Sequence, residues 1–173
     1  MKTPTRLLLG LLFALGVAVI WAPARPPMVD LPQHAAQIGL LRDLALGRSP
    51  WAHELRINLF TPYLIGYGLA LPLALVMPVV AAIKVVLTLA FAAFVALCLA
   101  IRRELSASAK LDAYFFVSFF GFAYSWGLYT FLVAAPVGLA FIWLSIRYAR
   151  AGGAGRAWGL AALGVAIDRK SVV

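Results

Sequence analysis

Two residues have the type and spacing to do chemistry, Asp30 and His34. They lie four apart in the segment Pro26-Pro27-Met28-Val29-Asp30-Leu31-Pro32-Gln33-His34. If a helix opens at Asp30, the imidazole one turn later lies within reach of the carboxylate. A carboxylate so placed can act as general base toward an acceptor hydroxyl, or hold a divalent cation such as Mg or Mn at Asp30. The plainer reading of the same residues is a helix start, with Asp30 as the cap, Pro32 in the first turn and His34 on the surface. By spacing alone the plainer reading is the commoner outcome.

Other familiar chemistry is missing from the chain. It has no Gly-rich phosphate loop ahead of a helix, no HExxH and no GxSxG. Gly66, Gly68 and the glycines of residues 152–155 lack the strand-turn-helix setting such motifs need. Cys98 is the one cysteine, which excludes an intrachain disulfide and a cysteine metal site. Asn58, Thr61 and Tyr63 have the polarity to line a cleft, with capping or interhelical hydrogen bonding as the default role. His53 and Glu54, near Trp51, suit a membrane interface. The phenylalanines of residues 115–122 suit packing or lipid contact, and Asp112 suits a helix start.

The elements that position these residues are apolar. Hydrophobic residues make up 64% of the chain and charged ones 12%, about half the roughly 25% of soluble domains. Mean hydropathy is +0.96. Apolar blocks approach the length of about 20 residues that crosses a bilayer core. The fold class expected is therefore all-α: a polytopic transmembrane bundle in contact with the lipid bilayer. Net charge is +9, yet Lys2, Arg6, Arg102, Arg103, Arg147 and Arg150 sit at the ends of apolar blocks, where basic residues anchor helices and set topology. The aromatic-basic interleaving of a nucleic-acid binder is absent, so no nucleic-acid partner is expected.

The expected spans are residues 7–22, 58–77, 79–101, 111–125 and 128–147, with a truncated sixth from 157. The division near residues 125–127 follows because 111–147 is too long for one crossing. A cleavable signal peptide is the lesser reading of the first block, and an uncleaved helix with a cytoplasmic N-terminus the better one. In the polar stretch of residues 23–57, Leu31, Ala35, Ile38, Leu41 and Ala45 recur at helical spacing, with Gln33, His34, Gln37 and Asp43 off that stripe. This predicts an amphipathic interfacial helix in the first extracytoplasmic loop, ended by Gly47 and Pro50. Lys84, near the start of its block, can snorkel. Strict alternation of spans then puts Arg102 and Arg103 outside, against the positive-inside tendency. Either one middle block is re-entrant, or the rest of the protein overrides the rule.

The final residues, 168–173 (DRKSVV), break the preceding pattern. They match the translation of a common sequencing adapter, so residues 1–167 are expected to be the N-terminal fragment of one longer transmembrane domain.

The first helix, the PPxxDxPxH pattern and the amphipathic helix after it resemble the start of multi-spanning glycosyltransferases of the GT-C fold. The nearest likeness is to uncharacterised bacterial GT-C-like membrane proteins. Gly121-Phe122-Ala123-Tyr124-Ser125-Trp126-Gly127-Leu128 resembles the Gly-Phe-x-Asn-Tyr type segment of those proteins, with Tyr124 and Ser125 where an Asn-Tyr pair is more usual. The likeness covers about residues 5–150. It implies a bacterial inner-membrane enzyme that uses a polyprenyl-phosphate-linked sugar donor. Asp30 is then the catalytic base, His34 its partner, and a divalent metal is nearby. Many such enzymes carry a second acid beside the first; here Leu31 follows Asp30, and the next acids are Asp43 and Glu54. The competing expectations are a transporter, a non-catalytic membrane protein, or an inactive fragment.

Overall fold

The first apolar block forms helix α1, Thr3–Trp21, which stops just before Pro23. The computed structural model describes residues 3–58 and 64–171, and among these the chain is all-helical with no strand. Helix α2 runs over Leu31–Ala45 with a proline in its first turn, and Gly47 at φ +65° turns the chain away after it. Leu31 and Ile38 bury its apolar side. Helix α3 covers Leu64–Ala74 and contains Pro72; Thr61 and Tyr63 lie outside the described residues. Helix α4 is Val79–Glu104, α5 Tyr114–Ser118, α6 Phe122–Trp126, α7 Tyr129–Ala151 and α8 Ala154–Ser171.

Where the sequence predicts one short aromatic helix over 111–125, the chain makes a 3-10 turn at Ala109–Leu111 and then the two five-residue helices α5 and α6. Gly121, with ψ −153°, breaks the helical path between them. Helices this short have little cooperativity of their own, so packing must hold them. Phe91 of α4 does so: fully buried, it stacks on Phe13 of α1 at 5.3 Å and meets Phe116, Phe119 and Phe120 at 5.1–6.3 Å. Gly16 lets α1 approach, since a Cβ there would lie 2.5 Å from the Phe91 ring.

Charged residues fix the two ends of this bundle. Lys84, 6% exposed, donates from Nζ to the Trp21 carbonyl at 3.2 Å and the Pro23 carbonyl at 2.6 Å, with its charge 5.5 Å from the Trp21 ring. An ammonium group here satisfies the orphan carbonyls and negative dipole end of α1. The Trp21 indole N–H donates to Thr88 Oγ1 at 2.9 Å. The end of α1 therefore lies beside the beginning of α4, and the two helices run antiparallel. At the other end Asp112, 1% exposed, receives a bidentate pair from Arg102 at 3.0 and 2.9 Å. Asp112 is thus the anchor of a partly buried ion pair, beyond the helix start that its position suggests. Beside it, Glu104 accepts from Arg150 at 3.1 Å, with Arg147 at 3.8 Å. Helices α4 and α7 run in the same direction, and residues 112–127 carry the chain back between them.

Candidate functional site

The site forms where two distant segments meet. The Val29 N–H donates to the Ser125 carbonyl at 3.2 Å, and the Asp30 N–H donates to the Trp126 carbonyl at 3.1 Å. These bonds dock the loop after α1 onto the end of α6. Gly127 makes the approach possible. It closes α6 in the left-handed region at φ +91°, and a Cβ there would sit 2.7 Å from the Asp30 nitrogen. The two segments that carry the resemblance, about a hundred residues apart in sequence, are thus joined backbone to backbone.

Asp30 occupies the cap position of α2, but its side chain makes no capping hydrogen bond, and its backbone (φ −88°, ψ 6°) is not the extended form a cap favours. The half-buried carboxylate has no hydrogen bond or ion pair among the described residues. Capping therefore does not account for it. Close by, Phe122 and Trp126 stack at 5.7 Å and remain exposed, offering an apolar surface beside the acid.

His34 is held from both sides. Its backbone N–H donates to the Asp30 carbonyl at 3.2 Å. Ring Nε2 lies 3.1 Å from the Gly127 carbonyl, which can only accept, so Nε2 carries the proton in this bond. Ring Nδ1 lies 2.9 Å from the Tyr67 hydroxyl, which donates its proton to the Gln37 side-chain oxygen. The Tyr129 ring is 5.4 Å from the imidazole, and its hydroxyl donates to the Gly66 carbonyl at 3.0 Å. Burial pushes the His34 pKa below its ordinary value, outweighing the Gly127 hydrogen bond and the Asp30 charge, which both raise it. Both ring nitrogens thus lie within hydrogen-bond distance of a protein partner. His34 ties α2 to α3 and to the α6–α7 turn, which holds it beside the acid.

The other acids are used elsewhere. Asp43 pairs with its neighbour Arg42 at 2.9 Å, and His53 and Glu54 sit on an exposed turn. Among the described residues no three His, Cys, Asp or Glu side chains converge as metal ligands. Asp30 offers a single carboxylate, so the donor set among the described residues does not match a resident divalent ion. Tyr124 is buried with its hydroxyl unpartnered among the described residues, while the Ser125 hydroxyl lies 3.4 Å from the Gly121 carbonyl. Sequence reasoning missed Tyr67. Gln37, off the apolar stripe and one turn beyond His34, was the available signal.

Among the described residues the protein is all-helical, and two helices, α4 and α7, are long and apolar enough to cross a membrane. Comparison with protein-family models, with curated proteins and with solved structures finds no match.

Proposed function

We propose that the chain is part of an integral membrane glycosyltransferase in which Asp30 is the general base for sugar transfer from a polyprenyl-phosphate-linked donor. Asp30 takes the proton of an acceptor hydroxyl as that oxygen attacks the anomeric carbon. The bond from that carbon to the phosphate oxygen breaks, and polyprenyl phosphate leaves with the electron pair. The carboxylate that ends protonated then returns its proton to water. One observation carries this reading: Asp30 is half-buried yet unpaired, at the junction of the two segments that resemble GT-C proteins. A base needs such an open lone pair within reach of the hydroxyl it deprotonates. The bacterial inner membrane is the matching location, with lipid covering α4 and α7.

Transport would call for an ionisable group facing a cavity at mid-membrane. Lys84 is instead bound to the carbonyls at the end of α1, which favours the enzyme.

The test is transfer from polyprenyl-phosphate-linked sugars by membranes that carry the full-length protein. Asp30→Asn keeps the size of the side chain and removes its basicity. Transfer should fall by about a hundredfold or more, with membrane insertion unchanged. A wild-type rate in Asp30→Asn overturns the assignment.

A further inference from the structure

Helix α3 begins and ends at the same end of the bundle. Near its start, Tyr67 bonds His34, and Gly66 receives the Tyr129 hydroxyl, both beside Asp30. Past its end, residues 75–78 turn directly into α4, whose second turn carries Lys84. Lys84 holds the carbonyls of Trp21 and Pro23, at the point where α1 delivers the chain to the Asp30 loop. Its eleven residues amount to about 16 Å of helix, roughly half of a bilayer core. In contrast, the 26 residues of α4 reach about 39 Å, from the turn after α3 to the end where Arg102 and Glu104 lie.

This geometry sorts the charges. Arg6 lies on α1 at the end away from Lys84, because Phe13 meets Phe91 and Trp21 meets Thr88 along the antiparallel pair. The Arg6 end is therefore the Arg102 end, which also gathers Arg103, Lys110, Arg147 and Arg150. Asp112 offsets Arg102, and Glu104 is shared by Arg147 and Arg150. Arg103 and Lys110 are exposed and have no carboxylate partner among the described residues. The Asp30 end sets Arg25, Arg42, Arg48, Arg56 and Lys84 against Asp30, Asp43 and Glu54, a smaller positive excess.

We infer that α3 does not cross the membrane and leaves the chain on the face it came from, so that the N-terminus and the Arg102–Arg103 end share the cytoplasmic face and contact its anionic phospholipid headgroups. This rests on the membrane residence proposed above. It removes the conflict that strict alternation of spans creates, because basic residues close to span ends stay on the cytoplasmic side. Exposed Arg103 and Lys110 face the leaflet whose negative surface attracts them. Asp30 is left on the extracytoplasmic face.

Single cysteines test this in the full chain, with Cys98→Ala as background and a membrane-impermeant maleimide on right-side-out vesicles. Val76→Cys, at a position 79% exposed in the turn between α3 and α4, should label from outside as fully as Ala52→Cys. Ser108→Cys should label only after permeabilisation. If α3 crosses, both results reverse: position 76 is protected, position 108 labels from outside, and the proposal is overturned. Arg103→Glu with Lys110→Glu should raise outside labelling at position 108 by about twofold or more; no change would refute the headgroup contact. Extraction by alkaline carbonate would instead refute membrane residence itself, a separate outcome.

Discussion

Gly127→Ala is the sharpest perturbation of the joint around Asp30. At φ +91° any side chain meets the left-handed penalty of about 1–2 kcal/mol. The new Cβ would stand 2.7 Å from the Asp30 nitrogen, so the loop must retreat by several tenths of an ångström. That retreat strains the 3.1 Å bond from Asp30 to Trp126, for a loss of about 0.5–1.5 kcal/mol. Reduced freedom of the unfolded chain returns about 0.4–1 kcal/mol. The net is a destabilisation of about 1–2.5 kcal/mol, or a fall in Tm of several degrees, about 2–4 °C per kcal/mol for a chain of this size. Thermal unfolding in detergent measures it, with Gly121→Ala as control. There the nearest atom to a new Cβ is 3.6 Å away, and Tm should barely move. Equal melting of Gly127→Ala and wild type, or an equal loss in Gly121→Ala, would mean that the Asp30 loop does not pack against Gly127.

Asp112→Ala should destabilise by about 3–5 kcal/mol, because it strands Arg102 without its partner in a partly buried place; denaturant titration of the detergent-solubilised chain measures this. Tyr124→Phe removes a buried hydroxyl that has no partner among the described residues, so Tm should hold or rise, and a clear fall would mean that the hydroxyl is satisfied. His34 has a folded pKa held below its ordinary 6.5 by burial, so the folded state favours the neutral ring. Its stabilisation is complete above pH 6.5 and declines as pH falls from there through the folded value. Melting curves over this range should show that decline in the wild type and a flatter profile in His34→Gln.

The helical class was readable because the chain is apolar in blocks of helical length. The break before α7 was readable too, since 111–147 is too long for one helix and Gly127 supplies a residue free to take φ +91°. The docking of Asp30 onto Trp126 was not readable, because backbone bonds leave no pattern in side-chain type. Phe91 shows the same limit: its partners Phe13, Phe116, Phe119 and Phe120 read only as apolar residues until they share one pocket. Lys84 reads as a snorkelling residue, whereas its partners are carbonyls more than sixty residues back. Arg102 and Asp112 suggest only an anchor and a helix start until the turn between them brings them together. What sequence leaves open is long-range pairing, which depends on the path of the backbone rather than on local preference.

The joint can be trapped directly. Val29 and Ser125 are neighbours through a 3.2 Å backbone hydrogen bond, and both are exposed, which suits the close Cα spacing that a disulfide requires. In a Cys98→Ala background, Val29→Cys combined with Ser125→Cys should form an intramolecular disulfide under mild oxidation, while Val29→Cys combined with Ser108→Cys should not. If the first pair stays reduced, the Asp30 loop and the turn before α7 do not form one site.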